Sequence, residues 1–129
     1  MTLLLDTCSL LWAADETGRL GSQALQALRD ARNNAVAHQV SLWEMQIKYD
    51  RGQLDLDRPP LDWMKTAVQR HDLDYHWIED EAIAALGGLP DLHRDPFDRL
   101  LIAHALTFNC TLVTPDPHIS RYPSLKVLW

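Results

Sequence analysis

The chain has 129 residues, 47% of them apolar, a formal charge of −6 and two cysteines. That length suits one domain (1–129) with a sizeable core and argues against two. The acidic balance argues against a broad, non-specific nucleic-acid binder, whose affinity comes mainly from basic residues releasing phosphate counterions, but it leaves room for a nucleic acid as substrate if divalent cations neutralise gathered acids. No apolar run approaches the roughly 18 residues of a membrane span, and Leu3-Leu4-Leu5 stops at Asp6 with no basic segment before it, so a cytoplasmic protein without a signal peptide is expected. Cys8 and Cys110 have no CxxC spacing and suit buried, reduced thiols.

Taken in order, Thr2 to Leu5 reads as a short buried strand that hands Asp6-Thr7 into a turn, followed by a helix through Leu10, Leu11 and Trp12. Gly18 and Gly21 interrupt the chain, and apolar residues at helical spacing predict a second helix over 22–31. Asn33-Asn34 signals a turn, and 35–38 a second strand. In Ser41-Leu42-Trp43-Glu44 the serine and glutamate have capping-box spacing, which puts Glu44 in the first turn of a helix with Val40, Trp43 and Ile47 as its apolar stripe. A loop through Pro59-Pro60 leads to a helix over 61–70, then a third strand at Tyr75-His76-Trp77-Ile78 and a helix from Glu79 ended by Gly87-Gly88.

The best helix start follows. Asp95 is a good N-cap, Pro96 suits the first helical position, and Asp98 meets the helix dipole favourably at the third. Thr111 to Thr114 reads as a fourth strand ending at Pro115-Asp116-Pro117, and 125–129 as a fifth, edge strand. Alternating strands and helices imply a parallel sheet with helices on both faces, and right-handed crossovers bring every strand-to-helix turn to one edge.

Asp6, Glu44, Asp95, Asp98 and Asp116 all fall on that edge. If the strand order is three-two-one-four-five, Asp6, Asp98 and Asp116 come close together at the switch point. Any one of these acids reads simply as a helix cap. Five without matching basic residues are hard to place unless a cation is present, some are protonated, or Lys48, Arg94 and Arg99 pair with them. Oxygen-only ligands favour Mg²⁺ or Mn²⁺, and histidine is not an evident member of the set. His104 aligns with Phe97, Leu101 and Phe108 as a packed helix residue. Trp12, Trp43, Trp63 and Trp77 read as core or interface aromatics.

The chain resembles the PIN-domain ribonucleases, and among them the VapC-type toxins of toxin–antitoxin pairs. The resemblance rests on Leu3-Leu4-Leu5-Asp6-Thr7 with Leu10-Leu11-Trp12, on Ser41-Leu42-Trp43-Glu44 with Ile47-Lys48, on the run from His93 to Ala103, on Leu112-Val113-Thr114 with Asp116, and on Val127-Leu128-Trp129. It implies a three-layer α/β/α sandwich with a central parallel sheet of four to five strands, acting as a Mg²⁺- or Mn²⁺-dependent endoribonuclease that hydrolyses RNA with a metal-activated water. By position, Asp6, Glu44, Asp98 and Asp116 look like the metal-binding acids. Asp95 would neighbour the site, Thr7 and Thr114 would hydrogen-bond a ligand carboxylate or a metal-bound water, and Arg94 and Arg99 are candidates for RNA phosphate contact. A homodimer held by a small antitoxin is the implied assembly.

Two features depart from that pattern. His38-Gln39 stands where similar toxins often carry small residues, and reads first as a histidine capping a strand end rather than a substrate contact. Pro115 and Pro117 stiffen the turn that must aim Asp116. Two rivals are a degenerate member that only binds a partner, and a receiver-type signalling domain. The receiver needs a phospho-accepting aspartate after strand three and a lysine after strand five, whereas strand three leads into Glu79-Asp80 and Lys126 lies within the last strand.

Overall fold

In the computed structural model, which describes residues 1–129, the chain builds a five-stranded parallel sheet in the order β3-β2-β1-β4-β5. The strands are β1 (Thr2–Leu5), β2 (Asn34–His38), β3 (Asp74–His76), β4 (Thr111–Val113) and β5 (Lys126–Leu128). The helices are α1 (Thr7–Asp15), α2 (Ser22–Arg29), α3 (Gln39–Asp50), α4 (Pro60–Arg70), α5 (Asp80–Ala85) and α6 (Pro96–Phe108), with short 3₁₀ turns at Leu86–Gly88 and Ile119–Arg121. This order differs from the 2-1-3-4-5 arrangement of receiver domains and disposes of that rival.

β1 is the central strand, and Leu3, Leu4 and Leu5 are fully buried because both of its faces are covered. Leu3 and Leu5 pack with Leu10, Ala24, Trp63, Met64 and Ala67 of α1, α2 and α4. Leu4 points the other way, into Leu101, Ile102 and Ala105 of α6 and Ala82 of α5. This alternation makes the three-layer α/β/α sandwich. α3 spans the top of the sheet, giving Val40 to one layer and Met45 to the other. α2 is capped by Gly21, where a Cβ would lie only 2.5 Å from the backbone of Trp129, so the C-terminal residue itself requires glycine there.

The reading of α3 needs correction. The helix begins at Gln39, with His38 as N-cap, so Ser41 and Glu44 form no capping box and Glu44 lies in the second turn. Of the expected stripe only Val40 is buried: Ser41, Glu44 and Met45 are the other buried residues, Ile47 is half-buried, and Trp43 is 55% exposed with its ring edge-on to Phe97. A polar face is buried here because it turns toward α1 and the acidic edge, which hydrophobic periodicity cannot signal. Trp77 is likewise exposed, beyond the end of β3, while Trp63 is core and Trp12 stacks near Trp129.

Behind the sheet edge runs a chain of imidazoles. His38 Nδ1 accepts the Val40 N–H, so its ring proton lies on Nε2, 3.2 Å from His104 Nδ1. His104 Nδ1 must then accept, which leaves His104 Nε2 to donate to His76 Nδ1 at 3.0 Å. Two helices and two strands are thus fixed through side chains, and His38, being wholly buried, is a cap rather than a substrate contact. Burial, reinforced by the neighbouring rings, pushes His38 down to about 3 and His104 down to about 4.

Unfolded, both would take up protons near 6.5, whereas the folded chain refuses them until far lower pH. Their stabilisation is therefore present above that value and is lost as pH falls toward 4. Thermal scans by circular dichroism should show the melting temperature of the cation-free protein dropping between pH 7 and pH 5. His104→Gln, which keeps a donor and an acceptor without a titrating ring, should flatten that slope; an unchanged slope would contradict this account.

Candidate metal centre at the sheet edge

The loops that follow β1 and β4, and the starts of α3 and α6, meet over the crevice between β1 and β4. Asp6 arrives there because its backbone N–H continues the β1–β4 ladder to Val113 O at 3.1 Å, reinforced by Ser9 Oγ donating to the same carbonyl at 2.9 Å. Its carboxylate also caps α1, accepting the Ser9 N–H at 2.8 Å, and is only 5% exposed. Capping and site duty fall on the same side chain.

Glu44 enters from α3. Thr7 Oγ1 is 2.7 Å from Glu44 Oε1 and 3.0 Å from Ser41 Oγ, and Lys48, one turn on, pairs with Glu44 Oε2. That hydrogen bond holds the Lys48 ammonium above the usual lysine range. Thr7 therefore positions a carboxylate, through the one hydroxyl proton it has to give.

Asp95 is the N-cap of α6, its Oδ1 accepting the N–H groups of Phe97 at 2.8 Å and Asp98 at 3.1 Å. Asp98, in the first turn, is the electrostatic centre. Burial first, then the like charges of Asp95, Asp6 and Glu44, push its carboxyl up to about 7 against the partial relief of His93. Asp116 follows β4: its N–H donates to Thr114 Oγ1 at 3.2 Å and its Oδ1 accepts the His118 N–H at 2.8 Å. Burial would raise it, but the hydrogen bonds from His93 and the His118 N–H hold it below the usual carboxylate range. Thr114 thus shapes the turn rather than touching a carboxylate.

His93 is the residue that sequence reasoning passed over. Its Nε2 lies 2.9 Å from Asp116 Oδ2 and 3.3 Å from Asp98 Oδ2, and the three side chains offer ligand-type atoms all within 4.8 Å of one another. The available signal was its place two residues before the N-cap of α6, but contact with Asp116 needs the return of β4, 23 residues later. Of the basic residues proposed to face RNA, Arg94 is exposed. Arg99 is turned inward, donating to Pro90 O, His93 O and Leu86 O and to the Tyr122 hydroxyl, so its guanidinium fastens the loop before α6.

The acids form two overlapping groups. Asp98 feels the charges of Asp6 and Glu44 and lies with Asp116 around His93, so Asp98 belongs to both. Cys8, beside Asp6, carries no nucleophilic role: burial and the Asp6 charge push its thiol up to about 12. A cavity of about 580 Å³ between α1 and α2 is lined largely by apolar side chains such as Leu10, Trp12, Leu25 and Leu28 and contains none of these acids.

A parallel α/β sheet whose β1–β4 crevice gathers carboxylates from four elements presents oxygen donors of the kind that suit a hard divalent cation. The PIN domain family model matches residues 3–125, and the chain belongs to that family. It is 29% identical over 130 residues to Ribonuclease VapC22 of Mycobacterium tuberculosis (strain ATCC 25618 / H37Rv), spanning 99% of this chain and 98% of that relative. Among solved structures, VapBC2 from Rickettsia felis bound to a DNA fragment from its promoter superposes with a TM-score of 0.73 at 20% identity, covering 98% of this chain and 97% of that one. DNA-bound VapBC from Salmonella typhimurium gives 0.68 at 12% identity, covering 98% and 96%. At these identities the structures show the shared fold. No helix is long and apolar enough to cross a membrane.

A carboxyl raised from 3.8 to about 7 on folding stabilises the protein below the lower value, and that contribution is lost as pH rises through the upper one. Asp98→Asn removes the repulsion. Without divalent cation at pH 8 this variant should melt at a higher temperature than the parent in calorimetry; an equal or lower melting temperature would contradict the like-charge account.

Proposed function

We propose that the chain is a Mg²⁺- or Mn²⁺-dependent endoribonuclease, the toxin of a toxin–antitoxin pair, acting in the cytoplasm on RNA phosphodiester bonds. The observation that carries this reading is the position of Asp98, shared between the Asp6–Glu44 group and Asp116. Carboxylates so placed repel one another unless a cation joins them, and an all-oxygen donor set suits a hard divalent ion. Membership of the PIN-domain family, and a relative named as a ribonuclease, favour RNA as the substrate.

In this reading Asp6, Glu44, Asp98 and Asp116 are the metal ligands. Thr7 and Lys48 orient Glu44, Asp95 holds the start of α6 and so aims Asp98, and Thr114 holds the turn that carries Asp116. A bound divalent cation supplies the charge neutralisation and the acidification of water that phosphodiester hydrolysis needs at neutral pH. Arg94, exposed beside this edge, is the side chain assigned to RNA phosphate, since Arg99 is committed to loop carbonyls.

The partner is a small antitoxin, in keeping with structural neighbours solved as VapBC complexes. The chain pairs as a homodimer, for which the exposed Trp77 and Phe108, flanking one hollow, supply apolar surface. The free thiols of Cys8 and Cys110 suit a reducing compartment.

Purified protein should cut RNA with Mg²⁺ or Mn²⁺ and stop on adding EDTA. Loss of an outer-shell partner typically costs about 10–100-fold in metal affinity or activity, so Asp98→Ala, which removes a ligand, should cost at least about 100-fold in cleavage rate. Parent and variant equally harmless to cells, with RNA left intact by the purified parent, would sink the proposal. A partner-binding protein without a working site is recognised by a melting temperature that Mn²⁺ leaves unchanged.

A further inference from the structure

His93 lies in the acidic site without being an acid, and both of its ring nitrogens are engaged. Nδ1 is 3.0 Å from the backbone N of Asp95. A backbone N–H can only donate, so Nδ1 bears no proton and the ring hydrogen sits on Nε2. That hydrogen faces Asp116 Oδ2 at 2.9 Å and Asp98 Oδ2 at 3.3 Å.

The spacing of His93, Asp98 and Asp116 is what a shared cation would require. Coordination, however, needs a lone pair on the nitrogen that faces the ion, and in this tautomer Nε2 presents a proton. Moving that proton to Nδ1 would set two N–H groups against each other at Asp95. The ring is held as a donor.

We propose that His93 is a positioning residue of the cation site: locked in the Nε2–H form by the Asp95 N–H, it hydrogen-bonds Asp116 and holds it beside Asp98, and so presents the two carboxylates to the ion as a preassembled pair. The need for it follows from where Asp116 sits. Its other hydrogen bonds, to Thr114 Oγ1, from the His118 N–H and, at its carbonyl, from the Ile119 N–H, are made within three residues and hold the turn but not the turn's place over the site. His93 supplies the tie to another element. Asp95 thereby acts twice, its carboxylate capping α6 while its N–H orients His93, so the segment from His93 to Asp98 works as one rigid bracket. Arg99 braces that bracket by donating to His93 O.

The inference rests on the cation-dependent reading above, and the test separates the two. Mn²⁺ binding is measured by calorimetry on the parent, His93→Ala and His93→Gln, the last keeping an N–H donor near Nε2. The expected result is a loss of Mn²⁺ affinity of about 10–100-fold in His93→Ala, the usual cost of removing such a partner, with recovery to within about threefold in His93→Gln. In the metal-free parent, ¹⁵N shifts of the His93 ring should report the Nε2–H tautomer, a readout independent of RNA cleavage.

His93→Ala binding Mn²⁺ as tightly as the parent would overturn the inference. So would a Gln variant no better than the Ala one, or spin-echo modulation showing a ring nitrogen bonded directly to Mn²⁺. Should the parent bind Mn²⁺ and show the His93 effects yet leave RNA intact, the nuclease reading fails and the positioning role stands. Should the parent cut RNA while His93→Ala binds and cuts as it does, only the positioning role fails.

Discussion

Strand β1 is buried on both faces and hydrogen-bonded on both sides, and most of the molecule depends on that confinement. Leu3↔Ala35 on one side and Leu4↔Leu112 on the other fix its register, while Leu3, Leu4 and Leu5 have no exposed surface at all. A one-residue slip would swap the side chains facing the two helical layers, so the pattern of burial holds the register firmly. Asp6 is the first residue past this strand and has one place to go. Its N–H still bonds to Val113 O, its carboxylate already caps α1, and the β1–β4 crevice opens directly above it.

Around that fixed point the fold assembles charge that opposes folding. Asp98 absorbs most of the conflict because it is largely shielded from water and faces the charges of Asp95, Asp6 and Glu44. The protein answers with few donors of its own. Lys48 pairs with Glu44, His93 gives its one N–H to Asp116 with Asp98 3.3 Å from the same nitrogen, and Arg99 is spent on carbonyls of the loop before α6. The outcome is two carboxylates with opposite tendencies, Asp98 raised and Asp116 lowered, joined through a single imidazole.

Histidines carry the polar connections in two places. In the chain from His38 through His104 to His76, as at His93, a backbone N–H donated to one ring nitrogen dictates what the other nitrogen can do. Buried imidazoles can serve in this way because each offers one donor and one acceptor on a rigid plane. The chain ties α3, which carries Glu44, to α6, which carries Asp98, behind the face where their carboxylates meet.

Much of this was legible in the residues alone. The strand–helix alternation, the Asp95-Pro96 cap and the arrival of Asp6, Glu44, Asp98 and Asp116 at one edge follow from local periodicity, capping chemistry and the handedness of crossovers, which act over short stretches or constrain topology as a whole, whereas the strand order entered only as a condition that the structure meets. Tertiary structure decided what depends on contacts between distant segments. Glu44 shifted to the second turn because His38, fixed by His104, took the cap position; Trp43 turned outward because the polar face of α3 was needed at the site. His93 joined Asp98 and Asp116 only once β4 had brought residue 116 back beside residue 93, and Arg99 turned inward because open carbonyls of the loop lay within its reach. Periodicity and capping report which way a segment folds. They carry no record of which polar group another segment will place against it.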